Sequence, residues 1–407
     1  MKFSFKNSPS KFGRGVGLLW RGNDLNTINK LIMLSIGLCK KGTSHNTFDS
    51  NIFLFESARS ALYHCLCSYG IGVGDEVIVS SFTCEAVSYG VSSTGARIIY
   101  VDINDDLTMN DCDVMQTVSF NTKAVVLQNT FGRLGLKLAT IEALRAKGIF
   151  VIEDCSLAIG SEFGGKPLGV FGDVSIWTLE VSKTVTIGWG GVLSINNMIY
   201  HDSIVQRYNS IKAVPLFLDL RRIFQLWFSV LLTKIKMPGA VFLWYLLYGI
   251  RVFRKSNNLS KLLNCHFGKM GKLSSSLFFN LHPLLDDIFK KTNANYKFLL
   301  QEAIKLNLNC PIVEKVNDYI VTPRIPLLVK SKHLSAIIKE GDKIGVEVGR
   351  WFAYVPPKFG LLGSEIYSAY NAQKISNCII NFPCHWTLNN TELGQVVALM
   401  KYISLLQ

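Results

Sequence analysis

The chain has 407 residues, of which 49% are hydrophobic and 18% charged. That balance excludes an intrinsically disordered chain and supplies a core large enough for one big domain plus a smaller one. The formal charge of +14 is unevenly spread, with eight Lys/Arg against two Asp over residues 1–49 and ten Lys/Arg with no carboxylate over 221–280.

Residues 1–49 are basic and irregular, with one apolar helical candidate near 25–38. From about 51 the chain alternates strand and helix. Residues 51–55 are a short apolar run. Ala58, Ala61, Leu62, Cys65, Leu66 and Tyr69 then follow the spacing of an amphipathic helix, with Ser57 suited to cap it. The glycines of 70–75 make a turn. Short apolar runs at 77–80, 97–102, 124–128, 150–154, 175–178 and 192–195 read as buried strands, with helices at 85–93 and 141–147 between some of them. Strands of this length separated by helices imply a sheet covered on both faces, largely parallel, with ligands bound at the carboxyl ends of its strands.

Residues 214–255 differ in kind. The runs 223–233 and 237–250 are uncharged, with Lys234 and Lys236 between them and Arg221, Arg222, Arg251, Arg254 and Lys255 at their flanks. A membrane-spanning helix needs roughly 20 apolar residues, so neither run crosses a bilayer. The pattern fits either a buried helical hairpin at an interface or a helix pair lying on a membrane surface. Further on, a helix at 285–305, a strand at 319–323, a helix at 333–340 and a final helix at 392–406 read as an α+β tail.

The stretch Thr178-Leu-Glu-Val-Ser-Lys183-Thr-Val-Thr-Ile-Gly-Trp-Gly-Gly191 places one lysine between a strand and a glycine-rich turn. Upstream, Val151-Ile-Glu-Asp154 ends another strand in an acidic pair. A lysine in a packed site can attack a carbonyl as a free amine, and a strand-end aspartate can pair with a protonated ring nitrogen. A Schiff-base lysine and a pyridinium partner are what a pyridoxal phosphate enzyme requires. The start of the helix after Ser57, with Ala58 and Arg59 in its first turn, offers free N–H groups to a phosphate, and Thr178 can add a hydroxyl. Glu153 and Asp154 are not a glycosidase dyad, because neighbouring strand residues point to opposite faces. The glycine runs at 13–17 and 70–74 are not complete dinucleotide loops.

The ten cysteines contain no Cys-x-x-Cys pair and no metal spacing with the seven histidines, so no metal is expected. Cysteines inside apolar segments, such as Cys65, suit a reducing compartment, and the first residues lack a stretch fit for a signal peptide. A cytoplasmic protein is expected. The basic patches suit an anionic partner, a nucleotide diphosphate or an acidic membrane surface, and no nucleic acid is expected.

These residues resemble the DegT-type family of pyridoxal phosphate aminotransferases, over about 50–200 and more loosely from about 270. Glu56-Ser-Ala-Arg-Ser-Ala-Leu62 is similar to the family's phosphate cup, and 70–79 to its Gly-x-Gly-x-Gly-Asp-Glu-Val-Ile-Val segment. Val101-Asp-Ile103, Thr130-Phe-Gly132, Ile152-Glu-Asp154 and Phe171-Gly-Asp173 match further landmarks. Glu180 and 186–191 resemble a subgroup with a Phe-Glu-x-Ser-Lys segment followed by Gly-Trp-Gly-Gly.

The resemblance implies a fold-type-I α/β enzyme with a seven-stranded mixed sheet, a smaller α+β C-terminal domain, and a homodimer with the site between subunits. It implies pyridoxal 5'-phosphate as cofactor, with Lys183 as its covalent anchor and proton shuttle. Asp154 would be the partner of the ring nitrogen, and Thr178 would stand in for a phosphate-binding serine. Ser156 would lie against one ring face, and Cys84 would stand where many members stack an aromatic ring. Leu157 stands where a Gln or His is common. Asn381-Phe-Pro-Cys-His385 is similar to a late family segment near the substrate mouth, which makes His385 a substrate candidate. The implied reaction moves an amino group from a donor, glutamate by the resemblance, to a nucleotide-linked keto-sugar in surface polysaccharide or amino-sugar biosynthesis. The expected organisation is a basic segment (1–49), the cofactor-binding α/β domain (50–213), an apolar and basic helical insertion (214–255), and linking helices with the small domain (256–407). Two alternatives are a related enzyme acting on a lipid-linked substrate, with 214–255 at the membrane surface, and a binding or regulatory protein on the same scaffold.

Overall fold

The computed structural model describes residues 51–235, 267–312, 318–355 and 364–406. In chain order the elements begin with β1 (Ile52–Phe55), α1 (Ala58–Ser68), β2 (Glu76–Ser80), α2 (Glu85–Ser92), β3 (Arg97–Val101), α3 (Asp111–Thr117) and β4 (Thr122–Gln128). They continue with α4 (Leu138–Ala146), β5 (Phe150–Asp154), the short pair β6 (Glu162–Phe163) and β7 (Lys166–Pro167), β8 (Val174–Thr178) and β9 (Gly191–Ile195). Then follow α5 (His201–Ser210), α6 (Leu216–Ile235), α7 (Lys272–Leu281), α8 (Leu285–Lys305) and β10 (Arg324–Leu328). The chain closes with α9 (Leu334–Ile344), β11 (Glu365–Ile366), α10 (Tyr370–Cys378), β12 (Ile379–Pro383) and α11 (Asn390–Ser404).

Eight strands form the main sheet in the order β1–β9–β8–β5–β4–β2–β3–β11. Only β9 runs antiparallel to its neighbours; the other pairs are parallel. In β4, Ala124 and Val126 enter one core while Val125 and Leu127 enter the core on the opposite face. That is why these strands read as unbroken apolar runs rather than alternating ones. The strand order reverses at β2, which opens a crevice at the carboxyl ends where such folds bind ligands.

The C-terminal part builds a second core from the antiparallel pair β10–β12 and helices including α8, α9, α10 and α11. Phe82, Phe131 and Leu157 from the first half belong to that same core. Asp102, just past β3, accepts the backbone N–H groups of Asn371 at 2.7 Å and Ala372 at 2.8 Å, holding the start of α10 against the main sheet.

The structure departs from the sequence reading in two places. The sheet has eight strands rather than seven, because the two-residue β11 adds itself to the edge beside β3. Residues 319–323 do not form a strand. Tyr319 makes only an isolated bridge to Glu162, and Val321 exchanges hydrogen bonds with the Ser161 hydroxyl at 2.8 and 2.9 Å. Pro323 supplies no N–H for a ladder, and the strand starts after it. The first apolar run of the insertion lies within α6, whose buried Asp219 accepts the Leu273 N–H at 2.8 Å and so docks the helix on α7. The expected helix at 25–38 and the run 237–250 lie outside the described residues. No described helix is long and apolar enough to cross a membrane.

Candidate active site

Three strand ends and one helix start meet at the carboxyl edge of the sheet. β5 ends at Asp154, β8 ends at Thr178, and Cys84 caps α2 just beyond β2. Thr178 pairs with Gly191 across β8 and β9, and Gly191 pairs with Phe55 of β1, three residues before α1. A Cβ on Gly191 would sit 2.2 Å from the Ala58 nitrogen and 2.4 Å from the Ser57 oxygen, so only glycine lets β9 approach the start of α1 this closely. Ser57 has the extended backbone of an N-cap, and its hydroxyl accepts the Ser60 N–H at 3.1 Å. The first turn of α1 holds no carboxylate, which leaves the positive end of the helix dipole uncompensated and receptive to an anion.

Lys183 sits on the loop that joins β8 to β9. The loop is closed at its base by Leu179 N–H to the Gly190 carbonyl at 2.9 Å and by a bridge between Glu180 and Gly188. Val185 and Ile187 are buried in a cluster with Leu54, Val192 and Met270, and this apolar foot anchors the loop. Lys183 itself remains half-buried, with its N–H bonded to the Glu180 carbonyl at 3.1 Å.

The acidic pair divides its labour as strand geometry requires. Glu153 is fully buried and accepts from Gly172 N–H at 2.6 Å, Gly169 N–H at 3.0 Å and Asn129 Nδ2 at 2.8 Å. Burial pushes its pKa up while those donors draw it down, the net direction being upward. It is a structural anchor. Asp154 is half-buried; its Oδ1 accepts the Ser156 N–H at 3.0 Å, and its Oδ2 accepts no hydrogen bond from the described residues.

Cys84 stands at the start of α2 and is exposed. Burial is the largest influence raising its thiol pKa; the Lys183 charge draws it down, while Glu180 and Asp154 push it up, so all three charges lie within electrostatic reach of the thiol. The buried hydroxyls of Thr83 and Thr184, one residue from Cys84 and Lys183 respectively, have no hydrogen-bond partner among the described residues.

The other candidates fall on both sides of the line. Thr178 Oγ1 is held only at 3.4 to 3.5 Å, by the Glu180 N–H and the Gly190 carbonyl, so its hydroxyl is open to a further partner. Ser156 closes the turn on Asp154 and is half-buried. Arg59 lies against α2, where its charge draws down the Tyr89 phenol that burial raises. His385 is buried, with Nδ1 2.8 Å from the Thr387 hydroxyl and its carbonyl taken by Asn295 Nδ2 at 2.9 Å. It is built into the C-terminal part, although the neighbouring Trp386 packs against the cluster that holds the Lys183 loop. Leu157 and Phe82 are both core residues, and the Phe82 ring meets Phe352 edge-on at 5.3 Å. Among the described residues no group of three His, Cys, Asp or Glu is placed to hold a metal ion.

Two residues escaped the sequence reading. Lys183 Nζ lies 4.8 Å from the ring centroid of Trp351, and the Arg324 guanidinium lies 4.9 Å from the same ring. Arg324 is buried and paired with Glu347 at 2.6 Å. Nothing local in the sequence marks either residue, since the fold alone brings them to the lysine.

The fold is that of known aminotransferase structures. One, a DegT DnrJ EryC1 StrS aminotransferase from Brucella abortus, superposes with a TM-score of 0.68 at 15% identity, covering 93% of this chain and 95% of that one. The Bacillus subtilis structure described with bound cofactor PMP also gives 0.68 at 15% identity, covering 94% of this chain and 83% of that one. Residues 51–214 match the model of the DegT/DnrJ/EryC1/StrS aminotransferase family. GDP-perosamine synthase of Escherichia coli O157:H7 is 36% identical over 143 residues, which is 35% of this chain and 39% of that protein. The chain thus spans about two fifths of the curated relatives it matches.

The residues present fit pyridoxal phosphate. The site offers an amine on an anchored loop, a carboxylate with one open oxygen and a loosely held hydroxyl beside an uncompensated helix start. Buried hydroxyls with no partner among the described residues stand next to Lys183 and Cys84 in sequence. Cys84 and Leu157 are departures: a thiol cannot present an aromatic face, and Leu157 is an apolar core residue.

Proposed function

We propose that this chain is a pyridoxal 5'-phosphate-dependent aminotransferase that moves an amino group, from glutamate, to a nucleotide-linked keto-sugar in surface polysaccharide or amino-sugar biosynthesis. The observation that supports this reading is that Asp154 and Thr178 end the paired strands β5 and β8, that Lys183 lies on the loop leaving β8, and that Gly191 opposite Thr178 packs on the start of α1, all inside the segment that matches the family. When bound, the cofactor supplies an electron sink for the carbon that loses or gains the amino group. Lys183 Nζ would hold the cofactor and would move a proton between the two reacting carbons. Asp154 Oδ2 would keep the ring nitrogen protonated. Thr178 Oγ1 and the N–H groups of Ala58 and Arg59 would hold the phosphate. The Ser156 N–H would keep the Asp154 carboxylate in place, and Cys84 and Glu180 would lie alongside. The division at 49/50, 213/214 and 255/256 and the homodimer belong to the same proposal. The names of the matched relatives support a sugar substrate.

The test is an absorbance spectrum with added pyridoxal phosphate, beside Lys183→Ala, followed by 2-oxoglutarate release from glutamate with nucleotide keto-sugars. A visible band in wild type that is absent in the variant is expected. Without a band in wild type, the reading falls.

A second reading is favoured by one face of α6. There Leu216, Phe217, Leu220 and Phe224 are exposed, in a region whose sequence from 221 to 280 carries ten cations and no carboxylate. Apolar and basic surfaces of this kind suit an acidic membrane carrying a lipid-linked substrate. Co-sedimentation with anionic but not neutral liposomes, abolished by Phe217→Glu with Phe224→Glu, is its expected signature. Recovery in the supernatant at low salt would remove it.

A further inference from the structure

We propose that Trp351 supplies the aromatic face of the site, steadying the Lys183 amine and offering its indole to the planar group bound there. The proposal rests on the reading that Lys183 carries pyridoxal phosphate.

Residue 84 cannot do this work. A cysteine side chain has no face to stack, and the nearby Phe82 is fully buried in the C-terminal core. The ring found beside the lysine amine is Trp351, with its centroid 4.8 Å from Nζ, inside the range of a cation–π contact.

Its placement is built, not incidental. Two residues earlier, Gly349 exchanges backbone hydrogen bonds with Asn381 of β12 at 2.8 and 2.9 Å. A Cβ on Gly349 would lie 2.2 Å from Asn381 Oδ1 and 2.6 Å from Arg324 Nη1, so any side chain there would push this segment off β12. The Arg324 guanidinium then lies 4.9 Å from the centroid of the indole. Arg324 is itself fixed, being buried, paired with Glu347 at 2.6 Å and bonded to the Asn381 carbonyl at 3.4 Å. Trp351 is half-buried, so part of the ring stays accessible.

A tryptophan whose ring lies beside both a fixed guanidinium and the lysine amine has the preorganisation a ring platform needs. A planar group bonded to Nζ forms within contact distance of an aromatic surface and gains stacking from it. The surface comes from the C-terminal part, so the site becomes complete only when that part is folded onto the main sheet.

Trp351→Leu and Trp351→Phe, titrated with pyridoxal phosphate, decide the matter. The readouts are the visible absorbance band, the circular dichroism within that band, and quenching of tryptophan emission. Trp351→Leu keeps Lys183 and is expected to form the band with about two- to tenfold weaker affinity and reduced dichroism. Trp351→Phe should restore affinity and dichroism, while cofactor-dependent quenching of tryptophan emission falls below that of wild type. A Trp351→Leu protein with unchanged affinity and dichroism overturns the proposal and leaves the cofactor reading standing. Should Trp351→Leu misfold, the Trp351→Phe quenching still decides, because quenching equal to wild type means the indole is not beside the bound group. No band in wild type overturns both.

Discussion

Glu153 and Asp154 are neighbours with the same chemistry, and the same conservative change should have opposite consequences in each. Glu153→Gln replaces one acceptor oxygen with an NH2 group. Oε1 takes the Gly172 N–H at 2.6 Å, and Oε2 takes the Gly169 N–H at 3.0 Å and the Asn129 amide at 2.8 Å. Whichever way the new amide turns, a backbone donor at a fully buried site meets another donor. Each buried group left unsatisfied costs about 1–3 kcal/mol, so a loss of about 2–4 kcal/mol is expected for the substitution. Asp154→Asn keeps the oxygen that accepts the Ser156 N–H at 3.0 Å, and its other position has no protein partner to lose. Its stability should stay within about 0.5 kcal/mol of wild type. Activity should fall about a hundredfold or more, because a neutral amide no longer holds the proton on the ring nitrogen. Urea unfolding followed by far-UV circular dichroism, beside glutamate-dependent amino transfer, reads both quantities. The assignment collapses if Asp154→Asn unfolds as easily as Glu153→Gln, or if it transfers amino groups at the wild-type rate.

Two further outcomes follow from the same geometry. Gly191→Ala drives a Cβ to 2.2 Å from the Ala58 nitrogen. It should cost about 1–3 kcal/mol in a thermal melt and weaken pyridoxal phosphate binding by displacing the start of α1; an unchanged cofactor titration would refute the placement of the phosphate there. His64 gives a pH dependence. Arg207 Nε can only donate, at 3.1 Å, so His64 Nδ1 is the acceptor and Nε2–H donates to the Phe267 carbonyl at 2.7 Å. Burial, the largest influence, lowers the His64 pKa, and the Arg207 charge lowers it further against the pull of the Phe267 carbonyl. A base depressed in the folded state contributes stability that is full above its unfolded value of about 6.5 and is lost as pH falls through the folded value. Unfolding free energy should therefore decline on acidification below about pH 6.5, and His64→Gln should flatten that part of the profile. An identical slope in the variant would assign the acid sensitivity to other groups.

What the sequence made legible follows the range of the interactions involved. β5 and α8 occur at the boundaries their apolar patterns suggest, since strand and helix periodicity is a local property. Asp154 and Thr178 stand at the ends of β5 and β8, where their apolar runs place them, and Lys183 lies five residues further on in the loop before β9. Residues 319–323 misled because Ile320 and Val321 are buried and β-prone, yet their partners are the side chains of Asn293 and Ser161 rather than a strand. β11 was invisible, as two residues carry no period. Trp351 and Arg324 were invisible for a deeper reason, for their role arises only from tertiary contacts with a lysine far upstream.

That last point bears on where specificity resides. The family match ends at residue 214, yet chain beyond it reaches the site by several routes. Asp102 holds the start of α10, Ser161 clasps Val321, and Phe82, Phe131 and Leu157 enter the core built on β10 and β12. Through these contacts the C-terminal part is bound to the strand ends that carry the reactive groups. The amine and its acidic partner come from the matched segment, whereas the aromatic face beside the amine comes from the segment after it. The half that matches the family model and the half beyond it therefore contribute different groups to one site. Cys84 and Trp351 are then one feature seen from two sides, a ring absent from the matched half and a ring present in the remainder.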